Sequence, residues 1–461
     1  MQDEAKQLQE ERIGLFHDLY RNQIPKRVPV NLGLPYHLLA TYAGLDPVES
    51  AYDYARLASA AKELSAKLKS DKPPFIPANI ILTRPPMVYQ MLRSQSFKMG
   101  TSGFVQHPEV VGMLPEDYDY LIEDPYSCML ERIIPRQHKA LDPSDPAGMM
   151  LSLMRAKEAT TQDVMATLPI YREIVEENGF YPGAPLGSSG VAEAPYDFVG
   201  DQLRSFSGIS MDIRRDRKRL AEACEAVLPL MFYWGLPSNP DPEGSVFVPL
   251  HMPTFMREKD FAEVWMPTYI KLTQQWAACG VRTSMFCEDD WMRYLDHLQE
   301  MPAGSQMQFE YGDPKTIKEK LGNKYILTGL YPINLIKTGT KQQVIDKAKE
   351  LLDIMMPGGG YIFGLDKSAL TLKDLNLENY FALAEFVSEY GKYDNAGQSY
   401  GQALNSEGYR FDENVIKPIR SKYIFDWEAF QAEFPLTPDS AQPRTARIEK
   451  EIFTFVMNLL I

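Results

Sequence analysis

Two hydrophobic periods alternate along the C-terminal half of the chain. SVFVPLH (245–251) reads as a buried strand, and residues 258–279 follow with Phe261, Val264, Trp265, Tyr269 and Leu272 on one side of a helix. VRTSMFC (281–287) predicts the next strand and WMRYLDHLQ (291–299) the next helix. QMQFEY (306–311) is again strand-like and is followed by a short helix in DPKTIKEKL. KYILTGL (324–330) precedes the strongly periodic helix KQQVIDKAKELLDIM (341–355). GGGYIFGL (358–365), introduced by glycines, precedes a helix over 378–391. Five strands, each followed by a helix, predict a parallel sheet, because parallel neighbours require a crossover. Repeated right-handed crossovers either wind such a sheet open or close it into a barrel.

The N-terminal half is less regular. An amphipathic helix is predicted over 1–22, a first strand in RVPVNLGL (27–34), an Ala/Leu-rich helix over 50–70 and a second strand in ANIILT (78–83). Residues 96–150 are dense in Pro, Gly, Tyr and Met with little period, and a helix over 146–178 follows. No boundary separates two independent domains. The expected architecture is therefore one α/β unit over 1–461, a (β/α)8 TIM barrel with an N-terminal extension. Residues 96–150 are read as an inserted cap over the C-terminal mouth, and the tail from about 395 as a peripheral wrap.

Composition removes several function classes. The 48 basic residues against 62 acidic ones leave a net charge of −14, which argues against nucleic acid or anionic lipid as a partner. No apolar run approaches the ~20 residues needed to span a bilayer. The N-terminal MQDEAKQLQEERIGLF lacks the apolar core of a signal peptide, and four Cys are too few for a disulfide framework. A reducing cytoplasm is the expected compartment.

In parallel α/β barrels the chemistry gathers at the C-terminal strand ends, so the strand assignments become a site prediction. His251 ends its strand, and Cys287, Glu288 and Asp289 end the next. Glu310 and Tyr311, then Tyr331, then Asp366 and Lys367 follow the remaining three. A thiolate, an imidazole and a carboxylate suit zinc, with an open fourth position for catalysis, so Cys287 with Asp366 and either His251 or Glu288 forms a candidate metal set. Cys279 starts its strand and belongs at the far end, while Cys128 and Cys224 are read as structural thiols. Met252, Phe286, Trp291 and Tyr361, with Met285 and Phe255, are candidates for a flat apolar slot, and His107 could reach a ligand from the cap. His37 could also face the mouth. No GxGxxG, P-loop or GxSxG pattern is present, which disfavours a serine hydrolase.

KRVPV, FCEDDW, LTGLYPINLIKTGTKQQVIDKAKELLD and GGGYIFGLDKSA with the later LENYFALAEFV together resemble the uroporphyrinogen decarboxylase superfamily, clearly over about 240–395. The decarboxylases carry an Arg-rich N-terminal signature where this chain reads RVPVNLGLPYH. The corrinoid-dependent methyltransferases that act on coenzyme M hold zinc through His-x-Cys and a later Cys. Here Met285-Phe286-Cys287 keeps the first Cys, and Asp366 stands near the place of the second. GTSGFVQHPEVVGMLPEDYDYLIEDP resembles an insertion of the substrate-side methyltransferases of methyl-ether O-demethylase systems.

That resemblance implies transfer of a methyl group from a methoxylated aromatic to Co(I) of a corrinoid carried by a separate corrinoid protein. A homodimer is compatible with it. Co(I) supplies the nucleophile, so the enzyme must assist a leaving phenolate whose conjugate acid has a pKa of about 10. Either a Lewis-acidic metal, zinc by resemblance, or a proton donor such as Glu288, Glu310 or Tyr331 would do this, with Asp289 beside them. The alternatives are another methyl donor (methylamine, betaine or thiol), a decarboxylase-like lyase, and a non-catalytic binding protein.

Overall fold

The computed structural model describes residues 2–76 and 84–461. The candidate strand at 78–83 lies outside them. Nine strands are formed among the described residues: β1 (Val30–Asn31), β2 (Lys98–Met99), β3 (Val105–Gln106), β4 (Gly190–Val191), β5 (Ser245–Leu250), β6 (Arg282–Asp290), β7 (Gln306–Tyr311), β8 (Ile326–Tyr331) and β9 (Phe363–Leu365). Seven of them make one sheet in the order β1-β9-β8-β7-β6-β5-β4, with every neighbouring pair parallel. β2 and β3 form a separate antiparallel hairpin. The first strand of the large sheet thus pairs with the last.

Burial alternates along the central strands. In β5, Val246, Val248 and Leu250 are buried, while Phe247 and Pro249 remain partly exposed. In β6, Met285 and Cys287 are buried, and Phe286 and Glu288 are not fully covered. The buried face packs on the helices that follow each strand. The helix Lys341–Met355, closed at its start by a reciprocal Thr340–Gln343 capping box, buries Val344, Ala348, Leu351, Leu352 and Met355. The opposite face carries the alternate residues of each strand. Gln308 of β7 reaches over β8 to donate to the carbonyls of Leu365 and Asp366, both at 3.3 Å. Gly329 lies beneath that crossing at φ +89°, where a Cβ would collide with the Phe309 backbone and press on the Gln308 side chain.

The N-terminal ends of the strands are sealed. Arg282, 1% exposed, donates to the carbonyls of Pro242, Gly304 and Tyr20 and lies over the Tyr20 ring. Phe16, Leu19, Tyr20, Ile24, Ile326, Ile362 and Tyr400 make a small apolar cluster there. Arg27 of the KRVPV segment grips both carboxylate oxygens of Asp71, which also accepts the Val30 N–H and so fixes the start of β1. This closed end leaves the C-terminal ends as the face open to chemistry.

The helix predicted over 146–178 runs over Pro146–Asn178. Of the expected cap, the β2–β3 hairpin carries the chain to His107 at the rim. Further along this segment, Gly112 and Met113 donate to the Leu203 carbonyl, Tyr118 to Asp212, and His138 bonds the Leu459 carbonyl. Among the described residues, no helix is long and apolar enough to cross a membrane.

Candidate functional site at the C-terminal rim

The strand ends bring His251, Glu288, Glu310 and Asp366 to one edge of the sheet, as the alternation of strands and helices implies. Between Cys287 and Asp290 β6 gains one residue on β7: Cys287 faces Phe309, and Asp290 faces Tyr311. This is a β-bulge, and Asp289 within it takes φ +61°. The carboxylate of Glu310 accepts the freed Asp289 N–H at 2.9 Å and the Lys367 ammonium at 2.6 Å. β6, β7 and the loop after β9 are thereby tied together, and the bulge leaves Glu288 half-buried on the inner side. Leu330, at φ +67°, gives β8 a similarly left-handed end.

His251 follows β5, and a buried Asp197 fixes its backbone by accepting the N–H groups of His251 at 2.9 Å and Met252 at 3.0 Å. Asp197 also accepts the indole N–H of Trp265 at 2.5 Å. The imidazole Nδ1 lies 3.2 Å from Asp201 Oδ2. The hydrogen bond to Asp201 raises the His251 pKa to about 9 against the desolvation of the ring, with further support from Asp201, Glu288 and Asp197 charges. His251 is therefore an imidazolium at neutral pH, with Nδ1 committed to Asp201. Burial pushes Glu288 up, although the His251 charge opposes it, while Lys367 and the Asp289 N–H hold Glu310 low despite its own burial.

Asp201 lies on the π-helical turn Phe198–Arg204, a segment with no hydrophobic period that sequence reasoning passed over. Beside it, Glu193 extends from the end of β4. Its predecessor Ala192 faces Gly235 in the helix layer, so the alternation of the strand turns Glu193 to the inner side. Burial, then the charge of Asp201, pushes the Glu193 carboxyl well above its ordinary range. His107, stacked on Phe97 at 4.5 Å, completes this end of the rim. Burial and the charge of Arg84 lower it to about 4, so it is neutral. Phe255, 58% exposed, meets His251 edge-on at 5.6 Å and Phe206 at 5.0 Å. With Phe286 on the inner face one residue before Cys287, the rim offers aromatic surface beside its carboxyls.

Several sequence-predicted residues belong elsewhere. Cys287 is fully buried on the outer face beside Tyr269 of the helix Met266–Ala278, and desolvation drives its thiol up, away from the thiolate that zinc requires. Asp366 spends one oxygen on the backbone N–H groups of Ile333 at 3.1 Å and Lys367 at 2.7 Å. Among the described residues, no group of three or more His, Cys, Asp or Glu side chains converges as a metal site. The donor set Cys287–Asp366–His251 is thus not assembled, and the residues present do not fit zinc. Tyr331 is buried outward and donates to the Val344 carbonyl at 2.8 Å. Trp291 belongs to an outer aromatic cluster with Phe261, Trp265 and Tyr294. Tyr361 bridges to Leu327 near the start of β8, at the sealed end. Met252 is 2% exposed and packs toward Gly200 under the turn that carries Asp201. His37 bonds the Leu370 carbonyl at 3.0 Å, and Cys279 precedes β6 at the end opposite Glu288.

No protein-family model matches the chain, and no curated protein matches it.

Proposed function

We propose that the protein is a corrinoid-dependent methyltransferase of the O-demethylase kind, acting on a methoxylated aromatic through proton-donor catalysis. In this reading the seven-stranded parallel sheet belongs to a uroporphyrinogen decarboxylase-like barrel. The observation that carries the reading is the His251–Asp201 pair: an imidazolium held through Nδ1 at the end of β5, its ring edge-on to Phe255, which in turn meets Phe206.

The chemistry follows from that pair. Co(I) of the partner corrinoid protein attacks the methyl carbon, the methyl C–O bond breaks, and the electron pair of that bond stays on the ether oxygen. The imidazolium supplies the proton that this oxygen takes up. A donor of pKa about 9 and a phenol of about 10 are closely matched, which is the condition for efficient proton transfer. Asp201 holds the ring and its charge. Glu310, ionised and paired with Lys367, anchors the bulge and is not the acid. Glu288, next to His251, keeps the site acidic.

A second reading draws on the same carboxylates. Asp201, Glu288, Glu310 and Asp366 outnumber the cations Arg84, His251 and Lys367 around the rim, which favours a cationic methylammonium donor over a polycarboxylated tetrapyrrole. The deciding experiment is incubation with a Co(I) corrinoid protein and a panel of methoxyarenes and methylamines, read by the methyl-Co(III) spectrum. Formation with methoxyarenes, lost in His251→Gln, is expected. Formation only with methylamines transfers the assignment to the second reading, and formation with neither refutes both.

A further inference from the structure

A cavity of about 750 Å³, a size that takes a small organic ligand, lies beside the edge strand β4, among the helices Pro146–Asn178, Arg217–Gly235 and Gln442–Asn458. Gly187 and Ser189 on its wall lead into β4, and Leu236 and Ser238 follow the helix that returns the chain to β5. The cavity therefore belongs to the strand starts, at the end opposite His251. Three cations line it in a chain whose net charge is −14: Lys157, Arg447 and Lys450. Among the described residues Glu451 is the one carboxylate on its wall, a helical turn from Arg447, and none of the three cations forms an ion pair. Lys450 donates to the carbonyls of Tyr233 and of Leu236, the latter at 3.1 Å. An ammonium carries three N–H groups, so one is left over. Burial without a counter-charge lowers Lys450 to about 8. Asn458 accepts the Trp234 indole N–H at 3.0 Å through Oδ1 and keeps its Nδ2 donors unspent. The Lys157 ammonium sits over the Phe455 ring, 5.4 Å from its centre, and Val191 and Leu236 extend the apolar wall. Unused donors and positive charge thus border apolar surface within one cavity.

We propose that this cavity is a binding site for an amphiphilic organic anion: a carboxylate or phosphate head held by Lys157, Arg447, Lys450 and Asn458, and an apolar body laid against Val191, Leu236 and Phe455. The site is separate from the rim and does not depend on the methyl-transfer reading. Lys450 and Asn458, fixed by their bonds to the end of the helix Arg217–Gly235, set where the head lies. Lys157 and Arg447 are exposed, so they are solvated without a ligand and can close on its charge. A cation is repelled by three like charges. A bare inorganic ion leaves the apolar wall in water and gains nothing from it.

The test uses the full chain with anilinonaphthalene sulfonate, an amphiphilic anion whose fluorescence rises in apolar surroundings, beside its uncharged parent phenylnaphthylamine. A charge-assisted hydrogen bond to the ligand corresponds to about a tenfold change in affinity, so wild type should bind the sulfonate at least about tenfold tighter than the parent dye. The double variant Lys157→Gln, Arg447→Gln, altered only at exposed positions, should weaken the sulfonate about tenfold and leave the parent dye unchanged. Lys450→Met should do the same. Melting curves report whether Lys450→Met folds, and the double variant decides the matter if it does not. Octanoate and octyl phosphate should displace the sulfonate at concentrations where octanol and inorganic phosphate do not, and the tighter of the two identifies the head group. Equal binding of the two dyes, a sulfonate affinity that the double variant leaves unmoved, or displacement by octanol or inorganic phosphate as good as by the amphiphilic anions overturns the inference. So does loss of sulfonate binding in His251→Gln, which would put the anion at the rim instead.

Discussion

Replacing Asp201 with Asn tests the electrostatic core of the site. The substitution conserves size and leaves an acceptor for Nδ1, but it removes the charge that does most to hold the proton on His251. Burial opposes that proton, so without Asp201 the ring should relax from about 9 toward its ordinary 6.5, with Glu288 and Asp197 giving the remaining support. At pH 8 a group of pKa about 9 is roughly nine-tenths protonated, and one of 6.5 roughly 3%. The imidazolium population therefore falls about thirtyfold, and methyl transfer at pH 8 should fall with it. At pH 5.5 both proteins are protonated and should differ little. The sign for stability follows from the raised pKa. The contribution of the His251–Asp201 pair is present below about 6.5 and is lost as pH rises through about 9, so wild type and variant should converge in stability at alkaline pH. With six histidines in the chain, the His251 ring resonance can be assigned by its absence from His251→Gln and followed by NMR titration. A wild-type ring that titrates near 6.5, or one that Asp201→Asn leaves unmoved, refutes the reasoning.

Arg282→Met should destabilise the protein by about 3–5 kcal/mol in urea unfolding, because three buried carbonyls lose their shared donor. A loss below about 1 kcal/mol would show that water replaces the guanidinium at the sealed end. Cys287→Ala should retain methyl transfer and lower stability by about 1–2 kcal/mol through the cavity it leaves. Stoichiometric zinc that disappears in this variant would restore the metal model. Gly329→Ala should cost about 2–4 kcal/mol, from its left-handed backbone and the contact with Phe309, and a variant that melts like wild type would contradict the described path of β8.

The periodic parts of the chain were legible. The strand Gln306–Tyr311 and the helices Lys341–Met355 and Pro146–Asn178 match their predicted spans, since long periodic runs leave little freedom. Which end of the sheet carries the polar groups was also legible, because it follows from strand direction alone. Side-chain direction at a strand end was not. Cys287 and Tyr331 are one position out of phase with the inner face, and a run of apolar residues does not say which parity faces the helices. The bulge at Glu288–Asp289 adds a residue with no compositional mark. Glu193 and Asp201 escaped notice because they lie in a Gly- and Pro-rich stretch ending in a π-helical turn, where neither period operates. The signal that could have found Glu193 is the short V-A-E-A run before Pro195, in which a lone carboxylate occupies the position opposite two alanines.

The left-handed residues at the ends of β6 and β8 affect how the protein would respond to selection. Asp289 and Leu330 each carry a Cβ where glycine would be relaxed, at a cost of about 1–2 kcal/mol apiece. Glycine at either place keeps the backbone N–H that Glu310 uses on β6, so the exchange improves thermal endurance without breaking that tie. It also loosens the strand end that aims Glu288, because glycine has more backbone conformations to wander through. A library screened for survival on heating would accumulate glycine at 289 and 330. One screened for turnover would reject it, and divergence between the two screens would mark these strand ends as the place where durability and activity compete.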